Sequence, residues 1–137
     1  MTDVALRPDQ LQRKRIVESG GLAVASLKAG VDTELIDWAR INGLYLYIGR
    51  AVPRRGLQAS PLANPFRVEH YGREESIELY RHWLRLQPRL LGSIATLAPR
   101  LLCCWCYPLA CHAEVLVEEA QRLAARRSQI ADVSVNI

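Results

Sequence analysis

Two short apolar segments separated by helical sequence constrain the fold most. Residues 44–48 (Leu-Tyr-Leu-Tyr-Ile) and 101–105 (Leu-Leu-Cys-Cys-Trp) are apolar on both faces, which is typical of buried strands. Between them, residues 73–86 have apolar positions at helical spacing, with glutamates first and arginines last, as the helix dipole favours. Strands separated by helices favour parallel pairing. The sequence therefore predicts a small three-layer α/β domain with a short, mostly parallel sheet.

The first 43 residues are predicted to form a helical N-terminal extension to the α/β domain of residues 44–137. Pro8 suits the first turn of one helix, and a short helical stretch is expected to follow as far as Lys28. Asp32 or Thr33 stands where it can cap a further helix. The two parts are expected to form one compact unit.

The C-terminal end is predicted to contain a helix followed by a strand. Residues 112–127 have glutamates first and arginines last, as expected for a helix. Apolar residues occupy every second position at Val133, Val135 and Ile137, and this period of two predicts an added edge strand.

Composition excludes several classes of protein. Half of the residues are hydrophobic and 23% are charged, which is typical of a globular protein rather than a disordered one. No apolar run is long enough to cross a bilayer, and the N-terminus lacks the pattern of a secretory signal. The four cysteines lie within residues 103–111 instead of being spread along the chain as disulfide frameworks are. We therefore expect a cytoplasmic protein without a membrane partner.

The long loop of residues 50–66 is one candidate part of a site, because loops of this length in a compact domain are usually functional or disordered. Gly49 allows close approach of a ligand and Arg50 could hold an anion, although a turn glycine beside a surface arginine is equally compatible. Asn64 precedes a proline, and its amide could orient a ligand or cap a turn. In a parallel sheet, this loop and the segment after the second strand would meet at one edge.

The segment Cys104-Trp-Cys-Tyr-Pro-Leu-Ala-Cys-His112 has three competing interpretations. Cys104, Cys106, Cys111 and His112 could bind zinc. Alternatively, Cys106, Cys111 and His112 could be catalytic, since a helix N-terminus lowers the pKa of a thiol and histidine can act as acid or base. The cysteines could also be small buried hydrophobic residues. If His112 opens the final helix, the field of the helix end predicts a ring that is mostly neutral at pH 7.

A basic balance makes a polyanionic partner possible. The formal net charge is +4, and arginines cluster at residues 50–55 and 122–127, so nucleic-acid binding is one hypothesis. A helix-turn-helix over residues 22–43 is disfavoured because its second helix would bring three acidic residues towards phosphate.

Four blocks of the sequence resemble a known family, domain of unknown function 4326. They are Tyr47-Ile-Gly-Arg50, Ser60 with Asn64-Pro-Phe66, Arg73-Glu74 with Ile77 and Tyr80, and Cys104 with Cys106, Pro108, Cys111 and His112. Ala113 stands where the family pattern has glycine. The resemblance implies a bacterial or phage-borne intracellular domain, and it adds Ser60, Arg73 and Tyr80 to Gly49, Arg50 and Asn64 as candidate ligand-binding residues. It implies no established activity, substrate or cofactor.

These observations lead to one main functional hypothesis. We expect a site for a small, nucleotide-like anion, because arginine and a helix N-terminus both favour anions, with transferase or hydrolase chemistry as an extension. The alternatives are a zinc-stabilised interaction module without catalysis and a basic nucleic-acid-binding protein.

Overall fold

The computed structural model describes the backbone of residues 5–135 and the side chains of residues 5–129. One or more helices separate each strand from the next along this part of the chain. In order they are α1 (Pro8–Glu18), β1 (Leu22–Ser26), α2 (Thr33–Ile41), β2 (Tyr45–Tyr47), α3 (Val68–Tyr71), α4 (Arg73–Arg85), α5 (Pro88–Ala95), β3 (Arg100–Cys104) and α6 (His112–Val135). A short 3-10 turn at Pro53–Arg55 lies in the long loop between β2 and α3.

The strands form a parallel sheet in the order β1-β3-β2. Leu102 at the centre of β3 is in register with Val24 on one side and Leu46 on the other. The chain passes from β1 through α2 to β2, and then returns through α3 to α5 to β3. Because parallel crossovers are right-handed, two connections that run in opposite directions lie on opposite faces of the sheet.

Helices cover both faces of the sheet, which gives the domain three layers. On one face, alternate strand residues such as Ala25 and Cys103 pack against Val17 of α1 and Leu35 of α2. We call this the α1–α2 face. On the other face, which we call the α4–α6 face, the intervening strand residues, such as Leu102, pack against residues of α4, α5 and α6. The predicted α/β class with a parallel sheet is confirmed.

The helix predicted as far as Lys28 is wrong, because Leu22–Ser26 form β1. This run is buried on both sides and pairs with β3 along its whole length. Two alanines favour a helix locally, and a short apolar run cannot be assigned by periodicity alone. Pairing with β3 decides the outcome, so the described part of the first 43 residues contributes a strand to the sheet as well as two helices.

The edge strand predicted near the C-terminus is also wrong. Helix α6 continues through Val133 and Val135, while Ile137 lies outside the described residues. No glycine or proline occurs after Pro108, so nothing local stops the helix.

A buried ion network joins α1, β1 and α2. Asp32 directly precedes α2 as predicted, but its side chain does not cap that helix. Its carboxylate accepts two hydrogen bonds from Arg13, at 2.8 and 3.0 Å, and one from the backbone N–H of Ser26 at 2.9 Å. Burial raises the pKa of Asp32, but these hydrogen bonds outweigh burial and hold it below its usual value. The Arg13 guanidinium also lies 4.4 Å from the ring centre of Tyr107, which links the network to the cysteine segment.

No helix in the described part of the chain is long and apolar enough to span a membrane.

Candidate functional site

The segments that follow β2 and β3 meet at one edge of the sheet, as predicted. Because these strands are parallel neighbours, their carboxyl ends lie side by side, and the segments that follow them occupy the same region. This is where ligands bind in α/β sheets. A cavity of about 350 Å³ lies between them. Of the residues predicted to form the site, eight line this cavity: Gly49, Arg50, Asn64, Arg73, Cys104, Cys106, Cys111 and His112.

Two aromatic side chains that the sequence interpretation did not assign to the site form one wall. The Tyr47 hydroxyl donates a hydrogen bond to the backbone oxygen of Arg50 at 2.5 Å, and it accepts one from Trp105 Nε1 at 3.0 Å. The Tyr47 ring thereby folds across Gly49, where a Cβ atom would overlap it. Gly49 is therefore required by the close approach of this ring. The signal in the sequence was an aromatic residue at the end of β2 and another directly after β3.

Asn64 attaches the long loop to α4. Its Nδ2 donates to Ser76 Oγ at 2.9 Å and its Oδ1 accepts from the backbone N–H of Phe66 at 2.9 Å. Arg50 donates through Nε and Nη2 to the Asn64 backbone oxygen, at 3.1 and 3.0 Å. The Asn64 amide thus caps the loop, which was one of its two predicted uses. Ser76, which also lines the cavity, was missed because a serine inside a helix gives no local signal.

Ser60 and Tyr80 lie outside the lining of the cavity. The Ser60 hydroxyl accepts a hydrogen bond from the backbone N–H of Leu62 at 3.1 Å. Tyr80 is fully buried and donates to the Leu62 backbone oxygen at 2.6 Å. Burial raises the pKa of Tyr80 well above its usual value. Both residues therefore hold the shape of the loop that carries Arg50 and Asn64.

Arg73 connects α4 to the cysteine segment. Its Nη1 donates to the backbone oxygen of Ala110 at 2.7 Å, and the guanidinium lies beside the Cys106 sulfur. Arg73 is partly buried. It therefore brings a positive charge to the cavity wall next to a group that can ionise.

Three of the four cysteines form one cluster. The sulfur atoms of Cys104, Cys106 and Cys111 all lie within 4.8 Å of one another, and Cys104 Sγ is 3.4 Å from Cys111 Sγ. Cys103 points to the α1–α2 face and does not join them. Because side chains alternate along a strand, Cys103 and Cys104 point to opposite faces of the sheet. The turn after β3 brings Cys111, directly before α6, back to Cys104.

The cluster favours one thiolate. Hydrogen bonds from Cys104 and Cys111 lower the pKa of Cys106, and Arg73 lowers it further. If Cys104 or Cys111 lost its proton, it could no longer donate a hydrogen bond to Cys106. The pKa of Cys104 and the pKa of Cys111 are therefore raised. Without a bound metal, Cys106 is therefore the thiol of the three that most readily forms the thiolate, which is the nucleophilic form of a cysteine.

His112 opens α6, as predicted, but its ring is directed to the sheet. Nε2 lies 2.8 Å from the backbone oxygen of Ile48, to which it must donate, and the ring packs edge-on against Tyr80. Burial lowers the pKa of His112, and Arg50 contributes to this decrease. The neutral ring predicted from the helix end is thus supported, but desolvation is the main cause. With the proton on Nε2, Nδ1 keeps a lone pair that can accept a proton.

Comparison with known proteins identifies the family but no individual relative. No curated protein and no solved structure matches the chain with significance. A family model described as Domain of unknown function (DUF4326) matches residues 37–122, which include β2, β3 and the whole lining of the cavity. Because this match covers well over half of the sequence, the chain belongs to the DUF4326 family.

Proposed function

We propose that the cavity binds a small anion of nucleotide-like size. The observation that carries the proposal is the pair of partly buried arginines, Arg50 and Arg73, on its wall. The lining also contains one acidic side chain, Glu69, but this residue is exposed to solvent. Partly buried guanidinium groups bind phosphate or carboxylate strongly because water screens them less.

Both arginines are held in place by the protein and still have donors left for a ligand. Arg50 binds the Asn64 oxygen through two nitrogens, and Arg73 binds the Ala110 oxygen through one. A guanidinium has five N–H donors, which is more than these carbonyls use. A positive group that is already positioned loses little side-chain entropy on binding, and this favours affinity.

The size and the aromatic wall favour a nucleotide-like molecule. A volume of about 350 Å³ lies near the lower end of the range for ligand pockets, about 300–1,000 Å³. This suits a mononucleotide rather than a dinucleotide. Tyr47 and Trp105 line the cavity, and aromatic side chains are the groups on which nucleic-acid bases stack. Cys106 and His112 line the same cavity, so a bound ligand would lie within reach of groups suited to transferase or hydrolase chemistry.

Isothermal titration calorimetry with a nucleoside, its monophosphate and inorganic phosphate tests this proposal. A charge-assisted hydrogen bond contributes about 1.5–3 kcal/mol, so the monophosphate should bind at least about tenfold more tightly than the nucleoside. Arg73→Gln should weaken monophosphate binding by a similar factor. Arg54→Gln is the matched control, because it removes the same charge from an exposed position outside the lining.

Three results would contradict the proposal. The nucleoside and its monophosphate could bind equally well, or Arg54→Gln could weaken binding as much as Arg73→Gln. An oligonucleotide could also bind more tightly than the monophosphate and depend on Arg54, which would favour a nucleic-acid surface instead. Thermal denaturation of each variant establishes that it remains folded.

A further inference from the structure

The three clustered cysteines have the dimensions of a site for one metal ion. A tetrahedral zinc with Zn–S bonds of about 2.3 Å places its sulfur ligands about 3.8 Å apart. Here Cys104 Sγ and Cys111 Sγ are 3.4 Å apart, and Cys106 Sγ lies within 4.8 Å of both. Small side-chain rotations would bring all three sulfurs to the distances that a zinc ion requires.

We infer that Cys104, Cys106 and Cys111 bind a single Zn²⁺ ion whose fourth coordination position opens into the cavity. Among the described residues, the group of potential ligands contains these three and no fourth histidine, cysteine or carboxylate. His112, the fourth ligand of the sequence hypothesis, does not belong to this group, and its ring is held on the sheet by the Ile48 oxygen. Three protein ligands and one open position are the arrangement of catalytic zinc, whereas structural zinc has four protein ligands.

The surroundings of the cluster suit a metal held by thiolates. Three thiolates around Zn²⁺ leave one net negative charge, and the Arg73 guanidinium beside Cys106 can balance it. The backbone N–H of Ala113 donates to Cys111 Sγ at 3.3 Å. Hydrogen bonds and charges of this kind orient metal ligands and tune the metal.

The fold places two of the three ligands at the ends of regular elements. Cys104 ends β3, Cys106 lies in the turn, and Cys111 directly precedes α6. Cys104 and Cys111 are buried, while Cys106 is partly exposed, so an ion can enter from the cavity. Thiolates are soft ligands and select zinc over magnesium or calcium. This assignment makes the sulfurs metal ligands instead of nucleophiles, and it does not depend on the anion proposal, because metal binding is measured without any anionic ligand.

Cobalt substitution of the 137-residue chain tests the inference. Apoprotein prepared under reducing conditions is titrated with Co²⁺ and then with Zn²⁺. We expect one equivalent of Co²⁺ per chain, with thiolate-to-cobalt charge-transfer absorption and the intense visible bands of tetrahedral cobalt, and displacement by Zn²⁺. Cys106→Ser should weaken binding by more than about 100-fold, beyond the 10–100-fold effect of changes outside the ligand shell.

Cys103→Ser is the matched control. Cys103 is a neighbouring buried cysteine, but it lies on the opposite face of the sheet, so this variant should bind Co²⁺ as the unmodified protein does. Circular dichroism establishes that both variants are folded, and Cys106 is partly exposed, which makes its replacement well tolerated. If Cys103→Ser does not fold, Cys103→Ala takes its place.

Several outcomes would overturn the inference. One is the absence of charge-transfer absorption when Co²⁺ is added to the reduced protein. Another is a folded Cys103 variant that loses as much Co²⁺ binding as Cys106→Ser does. A disulfide between Cys104 and Cys111 in the freshly purified protein would assign the pair to redox chemistry. Loss of binding in His112→Gln as large as in Cys106→Ser would show that the fourth position is closed by histidine. A calorimetric result against anion binding would leave the cobalt result unchanged.

Discussion

Replacement of Asp32 by asparagine should destabilise the domain strongly. The Asp32 side chain is fully buried and its partner Arg13 is only 9% exposed. Asparagine keeps the shape of the side chain but removes the charge, so the Arg13 guanidinium loses its buried counter-ion and keeps only the half-exposed carboxylate of Asp9. Asp9 offers a matched control, because it also pairs with Arg13, at 2.8 Å, but its side chain is 47% exposed.

The expected magnitudes differ clearly between the two variants. Breaking a buried ion pair by removing one partner costs about 3–5 kcal/mol, whereas an exposed pair contributes about 0.2–1 kcal/mol. At about 3 °C per kcal/mol for a domain of this size, Asp32→Asn should lower the melting temperature by about 9–15 °C. Asp9→Asn should lower it by no more than about 3 °C.

Urea denaturation at several pH values measures the effect and its cause. Because the pKa of Asp32 is lower in the folded chain than in the unfolded chain, its contribution to stability is present above the unfolded pKa of about 3.9. That contribution is lost as the pH falls through the folded pKa. The difference between the unmodified protein and Asp32→Asn should therefore shrink at acidic pH. Equal destabilisation by Asp32→Asn and Asp9→Asn at pH 7 would refute this reasoning.

Two other predictions concern groups that shape the cavity. Tyr80→Phe leaves the buried Leu62 oxygen without its donor, so the free energy of unfolding should fall by about 1–2 kcal/mol. Tyr71→Phe, at a residue that is 43% exposed, should change it by less than about 0.5 kcal/mol, and equal losses would contradict the assignment. Because burial lowers the pKa of His112, an NMR titration should give a midpoint below the ordinary value of about 6.5; a midpoint at or above that value would show that the ring is not desolvated.

Local signals were sufficient for most of the fold. Pro8 and Arg73 mark the first residues of α1 and α4 as predicted, since proline and charge gradients act within one helical turn. The two apolar runs became strands: β3 is buried at the centre of the sheet as predicted, whereas β2 is an edge strand that is only half-buried. Their parallel pairing in turn brought the long loop and the cysteine segment to one edge.

Local signals failed where two conformations have similar intrinsic energy. Leu22–Ser26 could have continued as a helix, and pairing with β3 made it a strand. The tail beyond residue 127 alternated like a strand, yet α6 had no residue to stop it. In both places the residues differ in helix propensity by only a few tenths of a kcal/mol each. Strand pairing or the hydrogen bonds of a continuing helix contribute more to stability and therefore decide the conformation.

The division of roles within the site depended on packing that the linear sequence does not contain. Nothing local indicates that Asn64 binds Ser76, that His112 turns to the Ile48 oxygen, or that Cys103 is excluded from the cysteine cluster. These contacts join residues distant along the chain or on opposite faces of one strand. Residue types and their order were enough to locate the candidate site, whereas each side chain's partner was determined by the sheet register and by the helices packed on its two faces.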